Sequence, residues 1–121
     1  MQLIVDNTRK MLKNMLDSIP GGYVLKDQNG VVHLINKAGA EYYGQSVEKV
    51  TGKTDHELLD AKIYEGEHKL DMKTIESGEQ EYTEELEIKG KKKKYKVIKK
   101  LFEITEINQT GILTIRIAER K

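Results

Sequence analysis

The sequence has no cysteine and a single proline in its 121 residues. Without cysteine there can be no disulfide, thiolate metal site, cysteine nucleophile or cysteinyl adduct with a flavin chromophore. A dominant charge is also missing: 21 Lys and Arg stand against 20 Asp and Glu, leaving a formal charge of +1. So balanced a chain projects no field that would draw it to nucleic acid or anionic lipid, and a polyanion partner is disfavoured. Long apolar runs are lacking too. Met1 to Val5 is apolar, but Asp6 interrupts it, and no segment reaches the length of a signal-peptide core or a membrane span. The chain reads as one soluble, cytoplasmic domain, long enough to bury a modest core without metal or disulfide staples.

What is present is a clear alternation of element types. Ile4, Thr8, Met11, Leu12, Met15, Leu16 and Ile19 recur at three-to-four spacing, which predicts an amphipathic helix over residues 3–18. Pro20-Gly21-Gly22 ends it. Tyr23 to Lys26 and Val31 to Ile35 read as strands joined by the turn Asp27-Gln28-Asn29-Gly30. Asn36 is placed to cap a short helix to Tyr43 that Gly44 closes, and a second turn runs from Ser46 to Val50. Thr54-Asp55-His56-Glu57 carries the spacing of a capping box, and a longer helix spans about Ala61 to Ser77 before Gly78.

The remainder is strand-like. Glu81 to Ile88 alternates with acidic side chains and Lys92 to Ile104 answers with basic ones, which predicts a hairpin. A type II′ turn at Gly90-Lys91 would set Glu87 opposite Lys94 and Glu85 opposite Lys96. Asn108 to Gly111 reads as a loop before a last strand, Ile112 to Ala118. Two strands before a cluster of helices and three after it predict an α+β fold: one five-stranded antiparallel sheet with short helices on one face and an N-terminal amphipathic helix.

From about Leu12 onward the chain resembles the PAS family. Leu16-Asp17-Ser18-Ile19-Pro20-Gly21-Gly22 is similar to the family's entry into its first strand, and Asp27-Gln28-Asn29-Gly30 to its Asp-x-x-Gly hairpin. Asn36 to Gly44 resembles its Asn-x-Ala helix, Val50-Thr51-Gly52-Lys53-Thr54 its Gly-Lys turn, and Ile75 to Glu79 the end of its long helix. The ending departs from the pattern. Many members leave through Asp-Ile-Thr-x-Arg-Lys, whereas this chain reads Arg116-Ile117-Ala118-Glu119-Arg120-Lys121, so Arg116 must find a different partner or the coupling is altered. The resemblance divides the chain into a dimerisation helix, residues 1–19, and a PAS domain, residues 20–121. It implies a non-catalytic sensory domain of a larger signalling protein such as a two-component sensor kinase, cyclase or transcription regulator, with an effector domain beyond the last strand.

Family likeness also implies a small-molecule site between helices and sheet. Tyr23, Asn36, Tyr42, Tyr43, His68 and Tyr95 are its candidate lining; half-buried packing explains the tyrosines equally well. The cofactor is unassigned. Haem-binding members take an axial ligand from the long helix, but Tyr64, Glu65, Glu67, Lys69 and Asp71 give His68 a partly polar setting, which argues against haem. The three histidines share no metal spacing, so no metal site is expected, and no serine sits in a nucleophile motif. Asp71 and Glu57 could be paired as acid and base, but carboxylates are abundant and both read as solvated. Lys91 to Lys94 could form a phosphate patch, yet Glu81, Glu84, Glu85 and Glu87 should neutralise it across the hairpin. The remaining partner signal is the stripe Ile4, Thr8, Met11, Leu12, Met15 and Leu16, read as a homodimer interface, with folding back over its own sheet as the alternative.

Overall fold

A computed structural model describes the backbone of residues 2–119 and the side chains of residues 7–119. Its elements are helix α1 (Gln2–Ser18), strands β1 (Gly22–Lys26) and β2 (Val32–Ile35), helices α2 (Lys37–Tyr43), α3 (Val47–Val50), α4 (Asp55–Leu58) and α5 (Ala61–Ser77), then strands β3 (Glu79–Ile88), β4 (Lys91–Ile104) and β5 (Gln109–Ala118). The strands form one antiparallel sheet in the order β2-β1-β5-β4-β3, so the last strand lies at the centre and joins the two hairpins.

The turns and caps follow from local side-chain chemistry. Asp27 Oδ1 accepts from the amides of Asn29 and Val31 at 2.9 and 3.1 Å, which closes the first hairpin over Gly30 at φ 81°. Asn36 does more than cap α2. Its Oδ1 accepts from Gly39 N and Tyr23 N, and its Nδ2 donates to the carbonyls of Leu16 and Gly21, so one buried amide ties α1, β1 and α2 together. Thr54 and Glu57 satisfy each other's orphan amides in a full capping box that opens α4.

Two details of the sheet differ from the sequence reading. Hairpin β3–β4 turns at Lys89-Gly90, not Gly90-Lys91: both residues have positive φ, 53° and 75°, and Ile88 pairs with Lys91. Two successive left-handed residues match the type I′ geometry that strand twist favours. The pairing therefore slips by two residues, placing Glu85 opposite Lys94 and Glu87 opposite Lys92, with faces unchanged. The second correction concerns the loop before β5. Thr105–Ile107 forms a 3₁₀ turn ended by Asn108 at φ 52°, and Gln109 to Gly111 are already paired with β4.

Apolar packing concentrates at one end, where Val24, Val32, Ile35, Ala40, Tyr43 and Val50 form the buried cluster between β1, β2, α2 and α3. Helix α5 covers the rest of the sheet with its apolar side outward: Glu67, Asp71 and Thr74, at i, i+4 and i+7, face in, while Ile63, Met72 and Ile75 are exposed. Helix α1 is anchored through Leu16 O and Asp17 Oδ1, the latter accepting from Lys37 N, and Met11, Leu12, Met15 and Ile19 remain exposed.

Candidate functional site

Opposite α5, the inward positions of the sheet carry Lys26 on β1, Lys99 on β4, and Thr114 and Arg116 on β5. All are buried, as are Asp55, Glu67 and Asp71 on the helices. Strand register brings them together, since Lys99 pairs with Thr114, Val97 with Arg116 and Val24 with Thr114. The expectation that Asp71 lies in solvent is thus overturned, while Glu57 is the exposed capping residue. Asp71 is paired because a buried carboxylate survives only next to cations and donors.

Each charge has a defined partner. Lys26 Nζ donates to Asp55 Oδ2 at 2.5 Å and Asp71 Oδ2 at 2.6 Å, with Glu67 Oε2 at 3.6 Å. Lys99 Nζ donates to Glu67 Oε2 at 2.7 Å and Thr114 Oγ1 at 2.9 Å, and lies 2.8 Å from Asp71 Oδ1, in ion-pair contact but off the hydrogen-bonding direction. Arg116 grips both Glu67 oxygens through Nη2, at 3.0 and 3.1 Å, and Glu84 Oε1 through Nε at 3.1 Å. Its guanidinium also stacks 3.8 Å above the Tyr42 ring. Tyr43 donates to Asp55 Oδ1 at 2.6 Å.

Protonation follows from this geometry. Burial alone would raise the Glu67 carboxyl, but Arg116, Lys99 and Lys26 outweigh it and hold the group well below the usual carboxylate range. Burial likewise pushes the Lys26 ammonium down, and Asp71, Glu67 and Asp55 reverse the sign. The Tyr42, Tyr43 and Tyr82 hydroxyls are pushed up by burial and by the carboxylates nearby, and stay neutral. Tyr82 Oη is buried with no hydrogen-bond partner among the described residues. Asp55, Glu67 and Asp71 hold ligand atoms within 4.8 Å of one another, the spacing of a metal triad, but the Lys26 ammonium bonds to two of them and sits beside the third. An internal cation already fills the place a metal would take.

Beside the network, towards the β3–β4 hairpin, a cleft of about 190 Å³ opens between α2 and the sheet. Arg116 and Tyr42 form its inner wall and Tyr95, Glu41, Ile88 and Ala118 its outer part. Of the six residues proposed to line a pocket, Tyr42 and Tyr95 meet here. Tyr43 belongs to the ion network, Asn36 is the inter-element tie, and Tyr23 donates its hydroxyl to Pro20 O. His68 is exposed on the far flank of α5, its ring stacked on Tyr64 at 5.4 Å between centroids. Of the interface stripe, Thr8, Met11, Leu12 and Met15 are exposed and Leu16 half-buried; the Ile4 side chain lies outside the described residues.

The sequence reading missed Lys26, Lys99, Glu67 and Asp55 as interior residues. For the residues on strands the signal was strand parity. Lys99 shares the inward parity of Val97 and Tyr95, Lys26 that of Val24, and Arg116 that of Ile112 and Thr114.

The chain is thus an α+β domain in which helices roof one face of a five-stranded antiparallel sheet and leave a cleft against its central strand. A family model of the PAS fold matches residues 16–95, and the chain belongs to the PAS family. No curated protein matches the sequence. Among solved structures, the chain is similar to the PAS domain of Bordetella pertussis BvgS, at 16% identity and a TM-score of 0.70, covering 95% of this chain and 88% of that one. It is similar to a PAS domain from Colwellia psychrerythraea at 19% identity and a TM-score of 0.67, covering 91% and 95%. Likeness to Vibrio cholerae VqmA, solved as a dimer without its target DNA, gives 20% identity and a TM-score of 0.75 over 91% of this chain, which spans about half of VqmA, 51%. At these identities the likeness is one of fold. No helix among the described residues is long and apolar enough to cross a membrane.

Proposed function

We propose that this domain senses a small molecule in the cleft between α2 and the sheet and relays its occupancy through a homodimer to an adjoining effector segment. The observation that carries the reading is the place of Arg116. It lines the cleft, lies on the central strand near that strand's end, and is bonded to Glu67 on α5 and Glu84 on β3. A molecule that shifts Arg116 therefore acts on three elements at once. VqmA has been solved bound to DPO, which fits a ligand-binding role for the fold. The exposed stripe Met11, Leu12, Met15 and Ile19 supplies the dimer surface. Relay then requires that the ligand bind one dimer arrangement more tightly than the other.

Mass spectrometry of a denatured extract tests the sensing half: a small molecule released in stoichiometric amount is expected. The dimer half is tested by light scattering on residues 16–121 against the full chain. A monomer mass for the shortened chain is expected, and an unchanged dimer mass would remove α1 from the interface. A second reading, a ligand-free dimerisation and docking module, draws on the ion network, which fills the space under α5 with the protein's own side chains. A clean extract combined with an intact dimer would favour it.

A further inference from the structure

The charges around the cleft narrow the class of molecule it accepts, given the reading that the cleft is the sensing site. Its one inner cation, Arg116, is committed to two carboxylates, through Nη2 to Glu67 and through Nε to Glu84. In the network behind it, Lys26, Lys99 and Arg116 face Asp55, Glu67, Asp71 and Glu84, so three cations meet four carboxylates and no positive charge is in surplus. Glu41 adds a further carboxylate at the cleft, where burial first and this carboxylate second raise the Tyr95 hydroxyl, and its partner Lys89 is a solvent-exposed side chain 3.5 Å away. An anionic ligand would meet this excess of carboxylate with no uncommitted cation. A cationic ligand would meet Arg116 on the inner wall, and the aromatic face it would seek on Tyr42 is already covered by that guanidinium.

What the cleft does offer is hydrogen bonding without net charge. Arg116 Nη1 makes no hydrogen bond among the described residues, so the guanidinium retains donors beyond those held by Glu67 and Glu84. Tyr95 and Glu41 supply polar groups on the outer side, and Val24, Ala38, Ile88 and Ala118 supply apolar wall. The volume equals that of about six waters at their share of the liquid, which suits a small ring or short chain. We infer that the cleft binds a small uncharged molecule carrying a carbonyl or ring-nitrogen acceptor for Arg116, with a donor directed outward to Glu41 or Tyr95.

The probes benzamide, benzoate and benzylamine, all single-ring molecules of similar size, separate the three charge classes. In amide-resolved NMR titrations of the full chain, benzamide is expected to shift Gly22, Gly39 and Ala118 saturably, with a dissociation constant about tenfold or more below those of the charged probes. Equal or tighter binding by benzoate or benzylamine at those amides overturns the uncharged-ligand inference while leaving the cleft as the site. No saturable shift from any probe overturns the inference as well, and the sensing reading itself falls if the denatured extract is also empty. Ala118→Leu, which narrows the cleft without touching the ion network, should abolish the benzamide response. Its persistence would place the binding elsewhere and refute the assignment. Arg116→Lys, which keeps the charge but loses the planar fork, should weaken benzamide selectively, provided its spectrum remains that of the folded domain.

Discussion

Glu67→Gln is the sharpest probe of the charged interior. The substitution preserves shape, but a carboxylate that receives Arg116 at two oxygens and Lys99 at one is replaced by an amide whose NH₂ must point at a cation. Removing one partner of a buried ion pair costs about 3–5 kcal/mol, because the remaining charges stay desolvated and underpaired. That is a large share of the 5–15 kcal/mol expected for a whole domain. With a urea slope of about 2 kcal/mol per molar, the unfolding midpoint should fall by about 2 M. The acid limb provides a second readout. Glu67 has a depressed pKa in the folded state, so its stabilisation is complete above its unfolded value of about 4.3 and is lost as the pH falls from there toward the folded value. Urea midpoints measured from pH 7 down to pH 3 should therefore fall less steeply in Glu67→Gln than in the parent. A loss under about 1 kcal/mol, the range of exposed pairs, with an unaltered acid limb would refute the claim that Glu67 is the hub of a buried network.

Three other substitutions probe the frame. Asn36→Asp should destabilise by about 2 kcal/mol or more in chemical denaturation, because it removes the donor that reaches Leu16 O and Gly21 O and places a charge beside them. In Gly39→Ala the new Cβ would stand 2.7 Å from Tyr23 O and 2.9 Å from Ile35 Cγ1, so α2 must lift from β1 at a cost of about 1–3 kcal/mol, read as a lowered melting temperature. Lys89→Asn should stabilise by a few tenths of a kcal/mol, about 0.5, since Asn tolerates the left-handed conformation that Lys89 adopts; no gain in thermal midpoint would argue against the type I′ turn.

The parts of the fold legible in the sequence are those whose cause is local. Asp27, Asn36 in its role as the α2 cap, Thr54 with Glu57, Gly44 and Gly78 each act within a few residues, and each does in the structure what its spacing implied. The hairpin at Lys89-Gly90 was harder, because a two-residue slip keeps every side chain on its face and still sets acid against base. The interior charges were hardest. Lys26 finds Asp55 and Asp71 across 29 and 45 residues, and Arg116 finds Glu67 across 49. In a chain that is 34% charged, no single Lys or Glu stands out as interior. Only the parity of the strands, read together with the i, i+4 spacing of Glu67 and Asp71, separates them from the solvated majority.

A helix that docks through carboxylates also changes the thermodynamic character of the domain. Unfolding α5 from the sheet hydrates Glu67, Asp71, Lys26, Lys99 and Arg116 where most folds would hydrate leucine and isoleucine. Polar exposure lowers the heat capacity of unfolding where apolar exposure raises it. The desolvation penalty of buried ions also shrinks as temperature rises. The stability curve of this domain should thus be broader and flatter than that of an apolar-cored domain of equal length, with weaker curvature toward both cold and heat.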